Sequence, residues 1–125
     1  MRLLLDTHVI IWAMEADPRV RHIAERLTDS DNEVYFSVAS LWEMAIKVGT
    51  GKLEVDVAVF RAEALATGFM ELPVLGRHIE ALGGMPHHHR DPFDRLLVAQ
   101  AAAEPMRLIT ADATVALYGN HIELI

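Results

Sequence analysis

Short, continuous apolar runs alternate along the chain with longer stretches whose apolar residues recur at every third or fourth position. The run "RLLLD" (2–6) has no polar alternation before its last residue, which predicts a strand buried on both faces. "EVYFS" (33–37), "FMELPV" (69–74), "RLITAD" (107–112) and "HIELI" (121–125) predict four further strands. Between them lie helical patterns. One helix follows the first strand. A second, over 18–29, opens at Pro18 and places Val20, Ile23 and Leu27 on one face. Over 37–52, Ser37 is the N-cap, Leu41, Met44 and Ala45 share a face, and Gly49 and Gly51 stop the helix. Asp56 caps a helix that Gly68 ends, and shorter helices are predicted over 75–84 and 113–119. The alanine- and leucine-rich stretch 91–104 is strongly helical. Apolar strands in alternation with helices predict an α/β fold, an α/β/α sandwich whose central sheet is mostly parallel.

With 125 residues, 52% of them hydrophobic, the chain is expected to form a single domain over 1–125 that buries a core without staples. It has no cysteine, which excludes disulfides and zinc–thiolate sites and suits a reducing cytoplasm. The first apolar stretch is interrupted by Asp6 and His8, unlike a signal peptide, and no segment approaches the roughly 20 apolar residues of a membrane span. A cytoplasmic protein without membrane contact is expected. The net charge of −7, from 18 acids against 11 bases, opposes generic nucleic-acid binding. An RNA or DNA substrate would need a local basic rim, and a basic partner protein would be favoured.

The densest chemistry stands in "HHHRDPFDRLL" (87–97). Asp91 fits an N-cap, Pro92 the first helical position, and Asp94 the third, where a capping-box carboxylate sits. His87, His88 and His89 form the approach to that helix; a His-rich tract can bind a metal, but adjacent histidines rarely point at one ion. Trp12 and Trp42 read as core or interface anchors, Met14 and Met44 as apolar filling.

In a parallel sheet, ligands bind beyond the carboxyl ends of the strands. Asp6 follows "LLL" and Asp112 follows "LIT", so both stand there, although each also suits an N-cap. Glu43 falls one turn into its helix, with Lys47 placed for a surface ion pair. Were Asp6, Glu43, Asp94 and Asp112 to converge, their repulsion would demand protonation or a bound cation. Oxygen ligands select Mg²⁺ or Mn²⁺, and one or two such ions can activate water for phosphodiester hydrolysis.

Four stretches, "LLLDTHVIIW" (3–12), "SVASLWEMAIKVGTGKL" (37–53), "HHRDPFDRLLVAQA" (88–101) and "LITAD" (108–112), resemble in order the PIN-domain ribonucleases, and among them the VapC-type toxins of toxin–antitoxin pairs. The resemblance implies an acidic metal site of Asp6, Glu43, Asp94 and Asp112, Mg²⁺ or Mn²⁺ as cofactor, and endoribonuclease activity that leaves a 5′-phosphate and a 3′-hydroxyl. It further implies a cognate antitoxin and a homodimer. Thr110 matches a hydroxyl residue that the family often keeps beside the late acid, where it could orient a carboxylate or bond locally. Ser40, Asp91 and His8 are weighed as supporting residues of the site, each with a plainer helix-start or back-bonding role. Arg90 and Arg95 are candidates for RNA phosphate contact, or for ion pairs with Asp91. A haloacid-dehalogenase-type site would want an acid two residues after Asp6, where His8 stands, and a receiver-type domain would want an acid after "EVYF". A non-catalytic PIN-like binding module would be expected to lack one or more of the four acids.

Overall fold

The computed structural model describes residues 1–125. Five strands, β1 (Arg2–Leu5), β2 (Glu33–Ser37), β3 (Met70–Leu72), β4 (Arg107–Thr110) and β5 (Ile122–Leu124), form one sheet in the order β3-β2-β1-β4-β5. Every pairing is parallel, so the sheet is wholly rather than mostly parallel. Seven helices connect the strands: α1 (Thr7–Met14), α2 (Ala24–Thr28), α3 (Val38–Gly49), α4 (Val57–Thr67), α5 (Gly76–Leu82), α6 (Pro92–Ala103) and α7 (Ala113–Ala116). None is long and apolar enough to cross a membrane.

The period of two along each strand divides the core. Leu3, Leu5, Val34, Phe36 and Ile109 face one layer and pack with Val9 and Ile10 of α1, Met44 of α3 and Phe60 of α4. Leu4, Leu72 and Leu108 face the other, against Leu97 and Val98 of α6 and Val115 of α7. Leu3, Leu4 and Leu5 are completely buried, as an uninterrupted apolar strand between two helical layers requires.

Local caps explain most helix boundaries. Ser37 accepts from the Ala39 amide and Asp56 from the Val59 amide, and Gly68 closes α4 in the left-handed conformation at φ 106°. Two expectations need correction. The helix over 18–29 is a 3₁₀ turn at Pro18–Ile23 followed by the short α2, with Ile23 itself leaving helical geometry at φ −111°, ψ 2°. The three-residue spacing of Val20 and Ile23, both buried, is the 3₁₀ repeat, and Leu27 is only half-buried. On α3 the buried face carries Ser40, Leu41, Glu43 and Met44, whereas Ala45 is exposed. The inward stripe is therefore rotated so that it includes a carboxylate.

Candidate functional site

From β1 the chain moves outward through β2 to β3, then returns to the opposite side of β1 to lay down β4 and β5. The reversal opens a crevice at the carboxyl ends of β1 and β4, the place where an open α/β sheet binds its ligands. The Asp6 amide donates to the Ile109 carbonyl at 3.0 Å, extending the β1–β4 ladder one residue beyond β1. This brings Asp6 beside Thr110. The Thr110 hydroxyl donates to Asp6 Oδ2 at 2.5 Å, and its oxygen accepts from the Asp112 amide at 3.1 Å. One threonine thus fixes both acids across 104 residues of sequence. Asp6 and Asp112 also cap α1 and α7, accepting from the amides of Val9 and Thr114. Capping and site membership coexist here, because each carboxylate has two oxygens.

Glu43 comes from α3 and is 5% exposed. Its Oε2 pairs with Lys47 Nζ at 2.9 Å, so the ion pair expected from the sequence exists, but its acid is buried instead of lying on the surface. Glu43 Oε1 is buried without any hydrogen-bond partner. Ser40, fully buried one turn earlier, neither bonds back into its own helix nor reaches an acid; its oxygen accepts from the Thr7 hydroxyl at 2.9 Å and ties α3 to the start of α1.

Asp94 enters from the first turn of α6. Asp91 caps this helix, accepting from the Phe93 and Asp94 amides at 2.8 and 3.2 Å. The capping-box role expected for Asp94 is not filled. The Asp91 amide, which such a carboxylate would have taken, donates instead to His89 Nδ1 at 2.9 Å, leaving the Asp94 side chain in the crevice. An amide donor on Nδ1 places the ring hydrogen on Nε2, which lies 2.9 Å from Asp112 Oδ2 and 3.4 Å from Asp94 Oδ2. His89 is thereby singled out from the three consecutive histidines. Its loop is held by Tyr118, whose hydroxyl accepts from the His89 amide and from Arg95 Nη1, each at 2.9 Å, while His88 stacks edge-on against the Tyr118 ring. Arg95 Nη1 also donates to the Pro86 carbonyl. Nothing in the sequence pattern marked Tyr118, because its partners lie 23 and 29 residues away.

The ligand atoms of His89, Asp94 and Asp112 all lie within 4.8 Å of one another. Asp6 and Glu43 are outside that close set, yet their charges reach Asp94. Burial first, then the carboxylates of Asp91, Asp6 and Glu43, push the Asp94 pKa up to about 7. Burial also raises Asp6, against the bonds it receives from Thr110 and Val9. Burial would raise Asp112 as well, but the bonds from His89 and the Thr114 amide outweigh it and hold the group below the ordinary carboxylate range. The bond to Asp112 raises the His89 pKa, opposed by burial. The Asp91 amide on Nδ1 works against a second ring proton, and the geometry is that of the neutral ring donating to Asp112.

The remaining residues weighed from the sequence fall around this centre. His8 is exposed, its ring 6.0 Å from that of Trp12, and lies in a shallow cleft with Asp6 and Asp112. Arg90 and Arg95 line a separate cleft with His87 and His89. Neither arginine pairs with Asp91, whose carboxylate caps α6. Trp42 is not a core residue: it is 61% exposed, edge-on to Phe93.

Four carboxylates, two buried and two half-buried, with one orphaned buried oxygen, fit a hard divalent cation. Asp6, Glu43, Asp94 and Asp112 could hold it, and His89, with its hydrogen on Nε2, is a donor to Asp112 rather than a ligand.

Among solved structures, the fold is similar to that of VapBC2 from Rickettsia felis bound to a DNA fragment from their promoter, with a TM-score of 0.73 and 16% identity over 100% of this chain and 98% of that one. It is also similar to VapBC-1 from nontypeable Haemophilus influenzae, with a TM-score of 0.68 and 22% identity over 100% and 97% of the two chains. No curated protein sequence matches the chain. The PIN domain family model matches residues 3–119, a span that contains all four acids at the crevice and the sheet apart from Arg2 and β5, and the chain belongs to that family.

Proposed function

We propose that the protein is a Mg²⁺-dependent endoribonuclease, with Mn²⁺ able to replace Mg²⁺, and that it is the toxin of a toxin–antitoxin pair. The observation that carries the nuclease reading is the gathering of Asp6, Glu43 and Asp112 around a half-buried Asp94, with Glu43 Oε1 left unpaired. Like charges so placed, and an unmatched buried oxygen, are costly in a protein that has no use for a cation. When bound, the cation supplies activation of water and neutralisation of the charge that develops on the phosphate.

The protein's own residues prepare that chemistry. Thr110 orients Asp6, Lys47 holds Glu43 at its Oε2, and His89 holds Asp112 at its Oδ2. The acids wall off one face of the crevice, so the substrate phosphate approaches only when their charge is compensated.

The toxin assignment rests on the VapC-type likeness of the four sequence stretches, and the similar solved folds are VapBC structures. The charge of −7 suits an antitoxin with a basic segment, and an arginine is the side chain best shaped to bridge two carboxylates. Exposed Trp42, Ile46 and Val59 give apolar surface for a homodimer.

The test is gel-resolved cleavage of labelled total RNA by purified protein with Mg²⁺ or Mn²⁺, beside EDTA and an Asp94→Asn variant. Discrete cuts that disappear with the chelator and with the variant are expected. A protein free of antitoxin and supplied with metal that cuts nothing would instead be a non-catalytic PIN-like binding module.

A further inference from the structure

Beside the acids, on the side of α5 and α6, lies a second cleft of about 540 Å³. Its lining is Leu82, His87, His89, Arg90, Pro92 and Arg95, with no carboxylate among them. This is unusual on a chain with 18 acids and 11 bases. Of the seven arginines elsewhere, five, Arg2, Arg19, Arg26, Arg61 and Arg77, are paired with an acid. In the cleft, Arg95 is bound only to the neutral Pro86 carbonyl and Tyr118 hydroxyl, which fixes its guanidinium without cancelling its charge. Arg90 and His87 are exposed. The cleft adjoins the crevice through His89, whose ring lines one and donates to Asp112 in the other.

We propose that this cleft seats a phosphate of single-stranded RNA next to the one that is cut. The proposal rests on the nuclease reading for the direction of the strand across the acids, but its binding chemistry stands by itself. A polyanion approaching a molecule of charge −7 is repelled over most of the surface and is held where uncancelled guanidinium groups, one of them fixed, face a concave space. Arg90 contacts the phosphate; Arg95 and Tyr118 hold the loop that carries Arg90 and are positioning residues. A strand with only the scissile phosphate cannot reach Arg90, whereas a longer one can.

Anisotropy titrations test this with a fluorescein-labelled randomised RNA hexamer pool, and with unlabelled dinucleotides as competitors, in Ca²⁺ to limit cleavage. Arg90→Ala is expected to weaken hexamer binding about fivefold at 0.15 M salt and to lower the slope of log affinity against log salt by about 0.7, the share of one single-strand phosphate contact. Arg90→Lys is expected to restore the slope, and Lys52→Ala to leave both quantities unchanged. Dinucleotide competition is expected to change less than twofold. Hexamer binding unaltered by Arg90→Ala, an equal loss for hexamer and dinucleotide, or no hexamer binding by the wild type would each overturn the proposal. The predicted slope change in a protein that cuts no RNA in the cleavage assay would uphold the cleft and remove the nuclease reading.

Discussion

Asp94 stands at the point where stability and chemistry conflict. Its carboxylate is half-buried near Asp91, Asp6 and Glu43, and burial together with these charges pushes its pKa up to about 7, so the fold disfavours the charged form. At pH 8 the ordinary unfolded carboxylate is ionised, so folding must carry that penalty. Asp94→Asn keeps the shape and removes the charge. It is expected to abolish cleavage and, in EDTA, to raise the thermal midpoint by about 4 °C, equivalent to about 1 kcal/mol; differential scanning calorimetry of the metal-free proteins would show it. A lower midpoint would mean that Asp94 accepts bonds the site needs even without cation. Thr110→Val separates orientation from ligation. Losing the hydroxyl between Asp6 and the Asp112 amide should weaken the Mg²⁺ dependence of activity by about 10- to 100-fold, read as a shift of the half-saturating concentration. The placement of Asp6, Asp94 and Asp112 at strand ends and helix starts could be read from the sequence, because those are local signals, whereas the inward turn of Glu43 from the middle of α3 could not. The task of His89 could not: it depends on an amide two residues on and on a tyrosine hydroxyl 29 residues away.

Helix α6 delivers Asp94 at its start and is anchored at its end. Glu104, its C-cap, bonds His78 Nε2 at 2.5 Å and Arg77 at 2.6 Å. His78 is fully buried, and its Nδ1 accepts from the Leu75 amide, so one ring joins α5 to α6. His78→Leu would strand that amide and cost about 1–3 kcal/mol, measurable by urea unfolding. The bond to His78, then the charge and bond of Arg77, hold the Glu104 pKa below its ordinary value despite burial. A lowered carboxylate pKa means that the unfolded chain binds the proton first. The contribution is therefore complete above the unfolded value of about 4.3 and lost as pH falls through the lower folded value. Urea midpoints should drop over that acid range, and Glu104→Gln should flatten the drop. Capped helices such as α3, α4 and α6 were legible because a side chain and the amide it caps lie two or three residues apart. The stretch 18–29 was not, since spacing by three serves an α-helix and a 3₁₀ turn alike, and packing of Val20 and Ile23 on the core decides.

At the scale of the molecule, charge and cation are linked. A cation that binds only the folded form stabilises it by about 2.7 kcal/mol at a hundred times its dissociation constant. Removing Mg²⁺ with EDTA should thus lower the thermal midpoint of the wild type by several degrees and leave that of Asp94→Asn nearly unchanged. Equal responses would place the cation elsewhere. The alternation of strands and helices made the layered architecture readable, while the order of the strands was not, because apolar runs of similar length do not say which will be neighbours. That order governs when the crevice can be assembled during synthesis. The central strand β1 leaves the ribosome first, but its neighbour β4 and the partner Thr110 of Asp6 follow about a hundred residues later. Until then one edge of β1 is open, Asp6 lacks its hydroxyl donor, and Asp112 does not yet exist in the chain. A nascent polypeptide therefore lacks the assembled crevice through most of its translation, and a fragment that ends before residue 107 never acquires it.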